Sequence, residues 1–261
     1  MFKFDKRIWF LFAGVVAILL LAGYLTRNLE DSIYRSGLKG ILFIALIIPL
    51  FSSRKMLIGL KPNSRVSNFK YIVPFLIILL IYALMRSQYF NYETWSTGYI
   101  GLVLLMCYLQ TLGEEFIFRG VLINEYLSSG HDITRAAWYS SILFGALHLI
   151  ALFGDKDLIS VINQSIVGIF LGMFLAGIFL VSRNIYMTGL AHMLINIPSY
   201  FKLPESDITE LAESSPIAEI PWVDTLLGTI ILLVIYSPFL ISGIWLISKA
   251  RHTYQNLPVA K

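Results

Sequence analysis

The chain alternates long apolar runs with short polar stretches, a pattern that predicts membrane-spanning helices. Eight runs are candidate spans: Ile8–Leu25, Gly37–Phe51, Tyr71–Met85, Gly98–Phe118, Ala136–Phe153, Ile159–Val181, Ile185–Ile197 and Thr225–Ile247. The fourth can continue to Leu127. The second, third and seventh are shorter than the roughly 20 residues that cross a bilayer core. We expect either that they continue past these bounds, with flanking lysines that snorkel to the membrane surface, or that one of them is re-entrant. The pattern predicts an all-α, polytopic transmembrane bundle of about eight spans.

Composition supports a membrane protein and excludes an ordinary soluble domain. Hydrophobic residues make up 57% of the chain and charged residues 14%, with a mean hydropathy of +0.74. We assign the net charge of +4 to loop topology and expect a lipid bilayer, not nucleic acid, as partner. The single cysteine, Cys107, rules out an intrachain disulfide and a cysteine metal site. We expect residues 1–261 to form one membrane domain.

The distribution of basic residues predicts the orientation in the membrane. With the N-terminus in the cytoplasm, 14 of the 20 lysines and arginines fall in the inside segments. The loop from Phe201 to Val223 then lies outside, and it is acidic. We therefore predict that both termini are cytoplasmic.

The fourth span carries charged residues that a bilayer helix normally avoids. Glu114, Glu115 and Arg119 lie in an otherwise apolar stretch, and ionisable groups in such a place indicate a functional site. On a helix Glu115 and Arg119 share a face and can form an ion pair. Glu114 points about 100° away from Glu115 and is predicted to be left for another role.

Two further spans carry a histidine in a four-residue pattern. Phe144 and His148 share one helical face in the fifth span, and His192 and Asn196 share one in the seventh. A lone intramembrane histidine is more often a hydrogen-bonded core residue. Two histidines, an asparagine and two glutamates on three spans must meet each other or a water-filled cavity.

This set of side chains suits hydrolysis by two routes. A carboxylate and a histidine can activate water as general bases, while a histidine and a carboxamide can donate to an oxyanion. Alternatively, Glu114, His148 and His192 are candidate ligands of Zn²⁺ with an open position. The sequence has no His-Glu-x-x-His motif, so such a site would differ from an ordinary zincin.

The three elements together closely resemble the CPBP family of intramembrane proteases, which includes CAAX-processing endopeptidases and bacteriocin-processing or immunity proteins. The elements are Glu114-Glu115-x-x-x-Arg119, Phe144-x-x-x-His148 and His192-x-x-x-Asn196, within residues 98–198. The resemblance implies that Glu114 and His148 activate water, that His192 and Asn196 stabilise the oxyanion, and that Glu115 and Arg119 are supports. It leaves open both a zinc mechanism and a metal-free one.

Our leading hypothesis is an intramembrane endopeptidase that cuts a membrane-associated peptide or protein tail near the cytoplasmic leaflet. The alternatives are a non-proteolytic adaptor or bacteriocin-immunity protein, and a proton-coupled transporter that uses Glu114 and the histidines as a relay. The transporter is disfavoured because the chain lacks a two-fold repeat and matched broken spans. We expect a bacterial plasma membrane and a secreted or signalling peptide as substrate.

Overall fold

A computed structural model describes residues 6–26, 37–45, 70–87, 96–153, 157–200 and 221–255, and these residues form helices and turns without strands. The helices are α1 (Lys6–Leu25), α2 (37–45), α3 (Val73–Ser87), α4 (Thr97–Glu115), α5 (Asn124–Ser128), α6 (Ile133–Leu147), α7 (Leu158–Ser182), α8 (Ile185–Tyr200) and α9 (Pro221–Gln255). A π-helical segment, Phe116–Ile123, joins α4 to α5, and a 3₁₀ segment, His148–Phe153, follows α6.

Four of these helical stretches are long and apolar enough to cross a membrane: Thr97–Ser128, Ile133–Leu152, Leu158–Ser182 and Leu226–Arg251. They confirm the predicted fourth, fifth, sixth and eighth spans. The apolar stretch Val73–Met85 is shorter, as the sequence predicted for the third span. The chain is thus an integral membrane protein of all-α class, while the count of eight spans and the cytoplasmic termini stay predictions.

Helix α7 is the centre of the described fold, and it is buried almost continuously from Gly168 to Val181. Small residues let α6 and α9 approach it closely. A side chain on Gly145 of α6 would come within 2.5 Å of the Ser165 carbonyl oxygen, and one on Gly172 would come within 3.0 Å of Ser141. Such close helix contacts are the usual means of packing in lipid, where the hydrophobic effect does not drive association.

Polar caps fix where the helices of the core begin. Asp132 accepts hydrogen bonds from the backbone N–H groups of Thr134 and Arg135 and so starts α6. Arg183, in the left-handed region at φ 51°, ends α7, and the Asn184 side chain caps α8 immediately afterwards. The tight turn sends α8 back against α4.

Helix α8 is held on α4 by contacts just before the two glutamates. The Thr111 hydroxyl donates to the Gly189 carbonyl at 3.2 Å, and a side chain on Gly189 would meet Leu112 at 3.1 Å. These contacts bring the carboxylates of α4 opposite the histidine of α8.

The predicted regular helix through the charged motif is corrected by the structure. From Phe116 onwards the backbone is π-helical, so the turn widens directly after Glu115. Local π-helical turns are rare in proteins, and those that occur are frequently found at functional sites. Here the widened turn carries Arg119, which is fully buried.

Candidate functional site

The two adjacent glutamates lie in different environments. Glu115 is fully buried, whereas the Glu114 side chain is 21% exposed. The sequence predicts that Glu114 is left free for another role. In the structure, however, Gln110 Nε2, one helical turn earlier, donates to Glu114 Oε1 at 3.2 Å. The more accessible carboxylate therefore has one oxygen held by an amide and one directed elsewhere.

Glu115 and Arg119 form the predicted ion pair inside the protein. Arg119 Nη1 donates to Glu115 Oε1 at 3.3 Å, and Arg119 Nη2 donates to the Gly172 carbonyl oxygen at 3.0 Å. Arg119 Nε lies 3.2 Å from Glu115 Oε2, but these two atoms are not aligned as a hydrogen bond. Arg119 is thus bound to Glu115 of α4 by one hydrogen bond and by the opposite charges, and to α7 by the hydrogen bond to the Gly172 carbonyl.

His192 lies between the two glutamates. Its Nδ1 is 2.8 Å from Glu115 Oε1, and its Nε2 is 3.8 Å from Glu114 Oε2. A carboxylate paired with a guanidinium is an acceptor only, so Nδ1 carries the hydrogen of this bond. In the neutral ring Nε2 then presents a lone pair towards Glu114, and Nε2 becomes a donor only in the imidazolium form.

Phe144 is the side chain around which the three motif elements meet. Its ring centroid lies 5.5 Å from that of His148 and 5.6 Å from that of His192, both edge-on. The guanidinium carbon of Arg119 lies 4.8 Å from the same ring, and Phe118 packs against it at 5.1 Å. The aromatic ring thus contacts both histidines and the guanidinium of Arg119, and so links the three motif elements.

His148 lies where α6 gives way to the 3₁₀ segment. Its Nδ1 is 3.2 Å from the Phe144 carbonyl oxygen, which fixes the ring at the end of the helix. The ring packs on Gly168 of α7, where an added side chain would come within 3.5 Å of the imidazole. The tighter contact of such a side chain would be with the Gly145 Cα, at 3.0 Å, so the glycine at this position allows the close approach of α6 to α7.

Asn196 lies one helical turn after His192 on α8 and is partly exposed. The two residues are about 6 Å apart along the helix axis. The structure therefore brings Glu114, Glu115, Arg119, Phe144 and His192 into direct contact, joins His148 through Phe144, and places Asn196 on the adjoining turn.

The candidate zinc ligands do not form a ready metal cluster. Among the residues that the structure describes, no group of three or more His, Cys, Asp or Glu side chains is placed to hold a metal ion. Glu114, His148 and His192 all belong to the described part, and one nitrogen of His192 is already committed to Glu115. The zinc hypothesis stays a prediction.

Comparison with protein families identifies the segment that carries this site. Residues 94–198 match the family model described as "Type II CAAX prenyl endopeptidase Rce1-like". The matched segment agrees with the CPBP resemblance that the three motifs indicate. No curated protein and no solved structure matched the chain.

The matched segment contains all three motif elements, and the matched family is one of CAAX-type peptidases. Two contributors to the site were missed by the motif analysis. Gln110 is the one polar residue of the fourth span before Thr111, at the spacing that reaches Glu114, and this position was a usable signal. The Gly172 carbonyl gave no signal, because a backbone acceptor on another helix depends on packing alone.

Proposed function

We propose that this chain is an intramembrane endopeptidase that hydrolyses a peptide bond in a membrane-associated peptide or protein tail. Two contacts together carry the proposal: Glu114 and His192 face each other at 3.8 Å, and Phe144 contacts the rings of both His148 and His192. Three motif elements that are far apart in sequence thus converge at one place inside the segment that matches the family model.

In the proposed reaction, Glu114 and His148 activate a water molecule. Glu114 takes a proton from the water while the water oxygen bonds to the scissile carbonyl carbon, and the carbonyl oxygen becomes an oxyanion. When the C–N bond breaks, the same proton passes from Glu114 to the leaving amine. Gln110, which donates to the Glu114 Oε1, leaves the other carboxylate oxygen for this transfer.

His192 and Asn196 are the proposed donors to the oxyanion. Because Nδ1 of His192 is committed to Glu115, donation from Nε2 requires the imidazolium form. Glu115 then supplies both the orientation and a balancing negative charge. Arg119 in turn holds Glu115, so this buried pair acts on the reaction through His192.

The proposed substrate is a tail that reaches the site from the membrane. The family model is described by its action on CAAX prenyl substrates, and for this chain a lipid-modified or otherwise membrane-associated tail is the corresponding proposal. We place the activity in a bacterial plasma membrane, with a secreted or signalling peptide as the natural substrate.

The test uses the full-length chain in liposomes and a farnesylated CAAX peptide, with cleavage products identified by mass spectrometry. Glu114→Gln should lower the rate by about 10²–10⁴ because it removes the general base. Glu125→Gln, the same change at another buried glutamate of the same continuous span, is the matched control and should retain activity. Wild-type cleavage by Glu114→Gln would refute the proposal.

Two further arms separate the remaining hypotheses. A binding adaptor should still restore the phenotype of a deletion strain when it carries Glu114→Gln, whereas a protease should not. Activity that survives a chelator supports the metal-free roles. Activity that is lost on chelation and restored by Zn²⁺ would overturn them in favour of metal-assisted hydrolysis.

A further inference from the structure

Beside α3 lies an apolar groove that no charged residue lines. It has a volume of about 330 Å³ and lies between α3 and α9, with Phe174 of α7 and Ile195 of α8 among its lining residues. The remaining lining residues are apolar or weakly polar: Phe75, Ile78, Leu79, Tyr82, Ile235, Tyr236, Pro238, Phe239 and Ser242. Ile78 and Ile235 are about three-fifths exposed, so the groove opens towards the lipid.

Two lysines meet at one end of these two helices. Lys70 Nζ lies 5.2 Å from the ring centroid of Tyr71, and Lys249 Nζ lies 5.9 Å from the same ring. Lys249 Nζ is also 5.5 Å from the ring of Trp245, and the Tyr71 and Trp245 rings pack edge-on at 5.7 Å. Both ammonium groups thus lie near the ring of Tyr71, although the two lysines are 179 positions apart in the sequence.

The lysine pair and the groove form one continuous surface. Phe75 packs on Trp245 at 6.1 Å and on Phe174 at 5.5 Å, which links the aromatic pair to the lining of the groove. From Tyr71 to Tyr82 the helix rises about 16 Å. This distance matches the depth of one leaflet, about 15 Å or half of the hydrocarbon core.

We propose that this surface binds an anionic phospholipid, with the phosphate of the head group at Lys70 and Lys249 and an acyl chain along the groove. Within the described part of the chain, no carboxylate lies within ion-pair distance of either ammonium. An ammonium over a ring still has N–H donors for phosphate oxygens, and basic residues near the membrane surface attract anionic lipid.

The proposed lipid would touch the helix that carries part of the site. Ile195 lines the groove and is the neighbour of Asn196 on α8. The proposal does not rest on the proteolytic activity, because it concerns a different face and different residues. It also agrees with the predicted topology, in which Lys70 and Lys249 both fall on the cytoplasmic side, where anionic lipid is attractive to basic residues.

The test is native mass spectrometry of the purified full-length chain, titrated with phosphatidylglycerol or with phosphatidylcholine of identical acyl chains. We expect tighter binding of phosphatidylglycerol. Lys70→Gln with Lys249→Gln should weaken it about 30-fold, or about fivefold for each lysine, and should leave phosphatidylcholine unchanged. Arg135→Gln with Arg251→Gln removes the same formal charge from the two helices beside Asp132 and is the matched control.

A second pair of variants tests the groove. Ile78→Trp narrows it, and Ile77→Trp places the same side chain at the adjacent exposed position that does not line it. Only Ile78→Trp should weaken phosphatidylglycerol binding. The proposal would be overturned by equal affinity for the two lipids or by a lysine variant that binds phosphatidylglycerol as the wild type does. It would also be overturned if Ile78→Trp weakened the binding of a farnesylated peptide and left phosphatidylglycerol binding unchanged.

Discussion

Replacement of the Glu115–Arg119 pair by methionines should cost less than replacement of either residue alone. Both side chains are fully buried, so Glu115→Met leaves a buried guanidinium without its carboxylate, and Arg119→Met leaves the reverse. Each single change should lower the free energy of unfolding by about 3–5 kcal/mol. Methionine suits both positions because it is unbranched and fills irregular space.

The double variant removes both charges and leaves mainly one unpaired polar group. His192 Nδ1 loses its acceptor, which costs about 1–3 kcal/mol. The Gly172 carbonyl lies inside α7 and can keep its helical partner, so losing Arg119 Nη2 costs it less. The two single changes would sum to about 6–10 kcal/mol. The double change should therefore be at least about 3 kcal/mol less costly than additivity requires.

The assay is reversible unfolding in mixed micelles with increasing dodecyl sulfate, followed by tryptophan fluorescence. The exposed pair Asp132–Arg135, at 3.3 Å, provides the control cycle, with Asp132→Asn and Arg135→Met. Asparagine preserves the helix cap, and an exposed pair should show a coupling below about 1 kcal/mol. If the buried cycle is additive within about 0.5 kcal/mol, the two charges do not stabilise each other and the reasoning is wrong.

Three further predictions follow from individual contacts. Gln110→Leu should lower kcat about tenfold or more with KM nearly unchanged, because a hydrogen bond to the charged Glu114 is lost; an unchanged kcat would contradict this. Asn196→Ala should lower kcat by about 10²–10³, and Asn196→Asp should be no more active, whereas a zinc-loaded, active aspartate variant would exclude the oxyanion role. Hydrogen bonds from Ser160 lower the pKa of Asp157, so the carboxylate stabilises the start of α7 at pH values above its unfolded pKa. This stabilisation is lost as the pH falls below about 4, and Asp157→Asn should flatten the acid dependence of the melting temperature.

The sequence predicted the spans of the core well because each is decided locally. A run of apolar residues long enough for the bilayer forms a helix whatever it packs against, as in Leu158–Ser182. The Glu115–Arg119 pair was predictable for the same reason, since its four-residue spacing depends on one helix only. The lysine pair was partly visible, because both residues fall on one predicted side of the membrane.

The contacts of His192 could not be predicted in the same way. Its bond to Glu115 joins residues 77 positions apart, and it depends on the rotation of α8 against α4. That rotation is set by contacts such as Thr111 with the Gly189 carbonyl, which no periodicity reveals. The π-helical turn after Glu115 also has no local signature, because it is a tertiary adjustment of the backbone. Sequence spacing shows which side chains share a face, but not what that face meets.

Glu115 connects the stability of the fold to the site that we propose for catalysis. One oxygen, Oε1, accepts from both Arg119 and His192, so the carboxylate that pairs with the buried guanidinium also fixes the histidine tautomer. A hydrophobic replacement of the whole pair could preserve the fold, yet it would leave His192 without its orienting partner. Buried ion pairs are expensive to keep in a membrane. We infer that the negative charge of Glu115 is retained because of its contact with His192. Neither packing nor the ion pair with Arg119 requires a carboxylate that faces a histidine.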